Sequence, residues 1–264
     1  MKHLMINEAL PIAELSRLGL YDGNKHLLSD ADLSALLSGR RTSMVNLRDL
    51  VSEAFVIDSL DAKLSLHTDE DNFQEIKLHP IYKEPQLMPD LSEEESRLMI
   101  SGEQPNMAKT IRFSDGTDRT IVFEYDGETK EFISYDASKL SVPIKINGET
   151  LNAEKQKEFA LGSIVELTEG TIIQYRASQP KGIIANRAAL IVSYLGEDAG
   201  FLIENISSIK DADIQLSPFT IGFENAFAGM QKNGSIDVNA GFLQKDLAEL
   251  KSEYSRGYSH GISR

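Results

Sequence analysis

Leu91-Ser92-Glu93-Glu94-Glu95-Ser96-Arg97-Leu98-Met99-Ile100-Ser101-Gly102 reads as one helix with its start and stop signals in place. Ser92 can accept a hydrogen bond from a free N–H of the first turn, and Glu95, three residues on, completes a capping box. Glu93, Glu94 and Glu95 fall in the first turn, where the helix macrodipole favours negative charge. Met99 lies seven residues after the cap and Gly102 ten after it, positions suited to a buried contact and a glycine stop.

The same spacing occurs twice more. Leu28-Ser29 is followed by Leu36 and Gly39, and Leu151-Asn152 by Phe159 and Gly162, with the three caps 63 and 60 residues apart. Asp32 after Ser29 makes a weaker box, and Lys155 after Asn152 breaks it. In the first copy Leu33, Leu36 and Leu37 form the expected buried stripe. The repeated residues start, bury and stop a helix, and none of them does chemistry.

Working outward, strand signals follow each helix. Ala62–His67 and Phe73–Leu78 alternate at period two around the polar stretch Thr68-Asp69-Glu70-Asp71-Asn72. Thr110–Phe113 and Thr120–Tyr125 flank Asp115-Gly116, and Glu131–Tyr135 follows Asp126-Gly127; Asp-Gly suits tight hairpin turns because glycine tolerates positive φ. Ser163–Leu167 and Thr171–Tyr175 flank Thr168-Glu169-Gly170. Ahead of the repeats, Leu10–Gly19 reads as a short helix with Pro11 in its first turn, Ile12, Leu15 and Leu18 on one face, and Gly19 as its stop. Tyr21-Asp22-Gly23-Asn24 is then a turn. Beyond Lys181 the pattern changes: Arg187–Leu195 and Phe201–Ile206 are read as helices, Asn239–Tyr254 as a last helix, and Ser255–Arg264 as a polar tail.

The expected fold is α+β: repeated small modules of one helix followed by an antiparallel β-hairpin or meander, with a more helical C-terminal region. Pro85, Pro143 and Pro180 are read as joints, because proline ends strand pairing. The divisions are 1–88 for the N-terminal helix and first module, 89–146 and 147–180 for the second and third, and 181–264 for the C-terminal region.

Composition narrows the function classes. With a formal net charge of −14, the chain is repelled by nucleic-acid phosphates unless a local basic patch intervenes. Arg40-Arg41, the adjacent basic pair, follows a helix-stop glycine and is read as a charge favourable to a helix C-terminus. The absence of cysteine excludes disulfides, thiolate metal sites and cysteine nucleophiles. There is no tract of 18 apolar residues to span a membrane, and the opening Met1–Glu8 lacks a signal-peptide core, so cytoplasmic residence is the expectation.

The search for chemistry yields no catalytic, cofactor-binding or metal residue. His67 and His79 could face one another across the first hairpin, with Asp69 or Glu75 beside them, but a surface strand pair is the preferred reading. Asp69-Glu70-Asp71-Asn72 lacks the ligand ladder and closing glutamate of a calcium loop. No serine nucleophile elbow, phosphate loop or dinucleotide fingerprint occurs. Tyr254, Arg256 and Tyr258 are of a type that stacks on single-stranded bases, though a tail contacting protein is favoured.

Several runs carry a resemblance. Leu10–Leu15, Leu18–Gly23, Leu36–Thr42, Leu60–Leu66, His79–Pro85, Phe123–Asp126, Asn147–Glu149 and Pro180–Gly182 resemble uncharacterised proteins of conjugative and mobilisable elements in Bacteroides-type gut bacteria, domains of unknown function of the 4099 and 3945 type. The likeness runs from about Leu4 to Leu195, and after Tyr194 the chain departs from the pattern. The resemblance implies association with mobile DNA, and brings no activity or functional residues with it.

The expectation is therefore a non-enzymatic interaction or adaptor protein of a mobile element, without cofactor, recognising a protein partner through exposed strand edges or grooves. Direct nucleic-acid binding is not expected. Two alternatives stand beside it: an acidic DNA mimic or anti-defence protein that binds a DNA-binding host protein, and a structural or cargo component of a transferred particle.

Overall fold

The computed structural model describes residues 10–51, 56–68, 74–195, 199–204, 207–209 and 219–234. Among them are five α-helices and fourteen strands in four small sheets, an α+β architecture. The chain divides into two compact units: unit 1 is Met1–Ala137 with Arg176–Gly182, and unit 2 is Ser138–Tyr175 with Ile183–Arg264.

In unit 1, α1 (Ile12–Arg17) and α2 (Asp30–Leu37) precede the antiparallel meander β1 (Val45–Val51), β2 (Val56–Thr68) and β3 (Gln74–Pro80). Then α3 (Glu93–Ser101) precedes a second meander of β4 (Asn106–Arg112), β5 (Asp118–Asp126) and β6 (Glu131–Asp136). In unit 2, β7 (Lys145–Ile146) and β8 (Glu149–Thr150) lead to α4 (Ala153–Ala160) and a third meander of β9 (Val165–Glu166), β10 (Ile172–Tyr175) and β11 (Ile183–Ala185). The strands β12 (Ala189–Leu195), β13 (Ala199–Glu204) and β14 (Ser207–Ser208) follow, and then α5 (Ile221–Asn233).

The spacing read from sequence has a local cause in each copy. Ser29, Ser92 and Asn152 are extended, and their side chains accept from the N–H of Asp32, Glu95 and Lys155. Only the Ser92 copy closes the reciprocal box, with Glu95 accepting from Ser92 N–H at 2.7 Å. In the first copy one Asp32 oxygen accepts from the Ser29 hydroxyl at 2.7 Å rather than from its N–H, and the other takes the N–H and hydroxyl of Ser43 at 2.7 Å each. Leu36, Met99 and Phe159 are buried, and Gly39, Gly102 and Gly162 take φ of +68°, +80° and +66°. Leu37 departs from the expected stripe: it is exposed, because the helix buries only Leu33, Ala35 and Leu36 of its apolar residues.

Strand β2 changes partner at Ala62, which pairs with Val45 of β1 and with Pro80 of β3. Its first half is thus held by β1, a strand the sequence reading did not anticipate, and its second by β3. The Asp115-Gly116 turn places Gly116 at φ +80°. The turn after Asp126 works differently: Lys130, not Gly127, takes positive φ (61°), and its N–H closes on Asp126 O at 2.8 Å.

Two expected helices are strands. Arg187–Leu195 contains β12, central between β13 and β7, and β13 occupies most of Phe201–Ile206. The run Ala188–Val192 is buried throughout, so it lacks any periodicity that would separate strand from helix. Its β-branched Ile191 and Val192 suit the pleat. Helix α5 lies where no element was assigned. Thr220 caps it, Gly234 at φ +70° stops it, and Phe223, Phe227 and Met230 at helical spacing pack with Ala189 and Ile191. The expected helix Asn239–Tyr254 and the tail lie outside the described residues. Among the described residues no helix is long and apolar enough to cross a membrane.

Candidate functional site: a buried charge cluster in unit 1

The ends of the two unit 1 meanders bring charged side chains together. Register places Lys63 of β2 opposite His79 of β3, and Asp126 of β5 opposite Glu131 of β6. Lys63 is 1% exposed and Asp126 2%. Lys63 Nζ lies 3.1 Å and 3.0 Å from the two Asp126 carboxylate oxygens, 2.6 Å from Glu128 Oε2, and donates to Ser178 O at 3.0 Å. Arg41, buried just after α2, places Nη1 3.2 Å from Asp126 Oδ2, 2.7 Å from Thr129 Oγ1 and 3.0 Å from Glu131 Oε2. Glu131 also contacts His79 Nδ1 at 3.1 Å, and the other ring nitrogen of His79 meets Ser65 Oγ at 2.8 Å. Ion pairs at such depth hold only when the charges are matched and their remaining hydrogen-bonding capacity is used.

A fourth carboxylate extends the cluster. Glu124, 0% exposed, sits near the end of β5 and faces the segment Arg176–Gly182. Its Oε1 lies 3.0 Å from Arg176 Nε and accepts from Ser178 N–H at 3.1 Å, and its Oε2 accepts from Ala177 N–H at 2.8 Å. The arginine also donates through Nη1 to Pro105 O at 3.0 Å and through Nη2 to Tyr125 O at 3.2 Å.

The local field is visible at two neighbours. Burial works to raise the Glu131 carboxyl, but the His79 hydrogen bond and the Arg41 charge outweigh it and hold the group below its ordinary value. Burial, with the Asp126 charge behind it, pushes the Tyr125 phenol up. Chemically, the arrangement is a set of ion pairs and hydrogen bonds that tie strands β2, β5 and β6 to Arg41 and Ser178. A lysine nucleophile needs an uncharged amine facing a substrate, whereas Nζ of Lys63 is enclosed by oxygens of Asp126, Glu128 and Ser178.

The residues weighed from sequence fall elsewhere or take other roles. His67 pairs with Glu75 and His79 with Lys63, so the two histidines are not brought together. Among the described residues, no group of three or more His, Asp or Glu is placed to hold a metal ion. Arg40 and Arg41 are not merely charges at a helix end: Arg40 Nε donates to Pro180 O at 3.1 Å, and Arg41 enters the buried cluster. Asp69, Asp71, Tyr254, Arg256 and Tyr258 lie outside the described residues. Sequence reasoning missed Lys63, Glu124, Asp126 and Arg176, which come together only across separations such as the 115 residues between Lys63 and Ser178.

Unit 2 has its own polar node. Glu169 accepts from Asn147 Nδ2 at 3.1 Å and from Gly222 N–H, in the first turn of α5, at 3.1 Å. Asn147, at φ 50°, also accepts from Ile191 N–H at 3.0 Å and so ties the node to β12.

The fold and the cluster define an α+β protein that devotes buried charges to holding a peptide segment of its own chain. Residues 7–90 match the model of a family described as a protein of unknown function (DUF4099). The matched stretch contains Arg41, Lys63 and His79, and Glu124, Asp126 and Arg176 lie beyond it. No curated protein and no solved structure matches the chain.

Proposed function

We infer that the protein is a non-enzymatic interaction or adaptor protein acting in the cytoplasm, in the service of a conjugative or mobile element. One observation carries the interaction part: the buried charges of unit 1 are turned to main-chain N–H and C=O groups of Arg176–Gly182, the chemistry of peptide recognition. The mobile-element part rests on the resemblance to Bacteroides-type element proteins. The test is an affinity pull-down of the tagged full-length chain from a Bacteroides-type lysate at low and moderate salt, read by mass spectrometry. A stoichiometric protein partner retained at moderate salt is expected.

The net charge of −14 favours a second reading, a DNA mimic that occupies a DNA-binding protein. Recovery of DNA-processing proteins alone, lost as salt rises, would replace the adaptor reading with that one. An empty pull-down would count against both.

A further inference from the structure

Arg176–Gly182 differs from the chain around it. The residues before and after it, Ser138–Tyr175 and Ile183–Arg264, belong to unit 2, whereas the segment itself belongs to unit 1. Unit 1 reads it as a receptor reads a peptide. At Ala177 both main-chain groups are used: the N–H donates to Glu124 at 2.8 Å and the carbonyl accepts from Arg41 N–H at 3.1 Å. At Ser178 the N–H donates to Glu124 at 3.1 Å and the carbonyl accepts from Lys63 at 3.0 Å. Arg40 takes the Pro180 carbonyl at 3.1 Å. The side chain that is read is Arg176, whose guanidinium is shared by Glu124, Pro105 O and Tyr125 O.

The segment is pre-shaped for this. Gln179 N–H closes on Arg176 O at 3.2 Å, Gly182 N–H on Gln179 O at 2.9 Å, and Arg176 N–H on Gly182 O at 3.1 Å. Gly182 takes φ +69°. Ala177 and Ser178 are buried, so both positions hold small side chains, while Gln179, Pro180 and Lys181 remain partly exposed. With the segment in place Glu124 is 0% exposed and Arg176 is its cation, so an occupant without arginine would bury the carboxylate uncompensated, a state that buried charges do not tolerate cheaply. The site therefore demands an occupant of defined chemistry: an arginine followed by two small residues with free N–H groups.

We propose that unit 1 carries an arginine-directed peptide-recognition site, filled in cis by Arg176–Gly182, whose partner in trans is a protein loop presenting arginine and then two small residues. The proposal rests on the protein-interaction reading and names the chemistry of the partner. The cis segment competes at an effective concentration of about millimolar, as short tethers do, so a loop in trans binds best when the cis segment is withdrawn.

The test uses the full-length chain with Arg176–Gly182 replaced by glycine and serine at equal length, beside the native chain. The probe is the fluorescent capped peptide Arg-Ala-Ser-Gln-Pro-Lys-Gly, with an Arg-to-Ala peptide as control, followed by anisotropy. The replaced chain is expected to bind the arginine peptide roughly ten-fold or more tighter than the control, and than the native chain binds it, as loss of a charge-assisted contact predicts. Glu124→Gln in the replaced chain removes that preference. A replaced chain that is folded by circular dichroism yet binds both peptides alike, or neither, overturns the proposal.

Should the replaced chain fold poorly, the native chain supplies the second reading. Excess arginine peptide then speeds amide exchange at Ala177 and Ser178 and leaves Ile173 unchanged, and unaltered exchange at the two amides overturns the proposal. The pull-down interrogates the whole chain and the titration this site alone, so a partner held elsewhere survives a failure here.

Discussion

Both units gather buried polar groups around a carboxylate, and they satisfy it by different means. In unit 1, Asp126 and Glu124 face full cations: Lys63 and Arg41 on one, Arg176 on the other. In unit 2, Glu169 is met by an asparagine amide and by an N–H at the start of α5, where the helix dipole favours negative charge. Nearby Arg187 directs Nη2 to the Glu169 carbonyl at 3.4 Å, and burial lowers the pKa of its guanidinium against the opposing pull of the Glu169 charge. The difference is one of vulnerability. A node of matched charges fails when one charge is removed, while a node of dipoles in close contact fails when its shape changes.

Removing a charge from unit 1 gives the largest expected effect. Asp126→Ala strips Lys63 and Arg41 of the buried anion they share, leaving Lys63 only the largely exposed Glu128 and Arg41 only Glu131. Breaking a buried pair from one side costs about 3–5 kcal/mol. At about 2–4 °C per kcal/mol for a unit of this size, Tm falls by roughly 6–20 °C in calorimetry. A fall of only a degree or two would show that the cluster is as forgiving as a surface ion pair.

Changing shape in unit 2 comes next. A Cβ at Gly222 would run into the Glu169 carboxylate and stand 2.8 Å from Asn147 O, a backbone atom that cannot swing aside. Overpacking of this kind costs about 1–3 kcal/mol, against a gain of up to about 1 kcal/mol for alanine over glycine in a helix. Gly222→Ala is therefore net destabilising by denaturant melts, with the loss confined to unit 2 by hydrogen exchange. A stabilised variant would mean that the node relaxes freely and that the contrast with unit 1 is one of degree.

Caps offer a finer comparison, because the same position is built differently in the two units. Ser92 closes a reciprocal box and Asn152 a single bond. Ser92→Ala and Asn152→Ala are each expected to lose about 1 kcal/mol, within the usual range of about 0.5–2 for a cap. The effects belong to α3 and α4 and leave the charge cluster intact, which exchange at Ala177 and Ser178 would report.

These local devices are what the sequence made legible. Ser92 with Glu95, Gly102, and the Asp115-Gly116 turn all act within a few residues of themselves, so their spacing is enough to read them. The cluster was not legible, because strand alternation assigns Lys63 to solvent along with Ser65 and His67. It is buried since a segment 115 residues away covers that face. Glu124 stands beside Val122 and Phe123 in a run buried without interruption, so both faces of β5 are covered there and period two fails as a guide. The same loss of periodicity made β12 read as a helix. Where burial is set by contacts distant in sequence, no local pattern announces it.

Acid gives the smallest effect, read at one paired carboxylate in each unit. The Glu131 carboxyl is held below its ordinary value of 4.5 by His79 and Arg41 against the opposing effect of burial. Because the folded-state value is depressed, the stabilisation is complete above the unfolded value. It is lost as pH falls through the folded one. Glu131→Gln should therefore be less stable than the native chain near neutral pH, and the gap should close as pH drops below 4.5 towards the depressed folded value. Glu149 in unit 2 is likewise lowered, by its Lys155 pair and the Thr168 N–H, although burial opposes it. A Glu149→Gln variant should show the same closure in unit 2. Following amide exchange in each unit across this range distinguishes them: Glu131→Gln should alter protection at Ala177 and Ser178, which depend on the charge cluster, and Glu149→Gln should not. If both variants changed those amides equally, the charge cluster of unit 1 would be energetically coupled to the Glu149–Lys155 pair of unit 2, and the two units would not respond to acid separately.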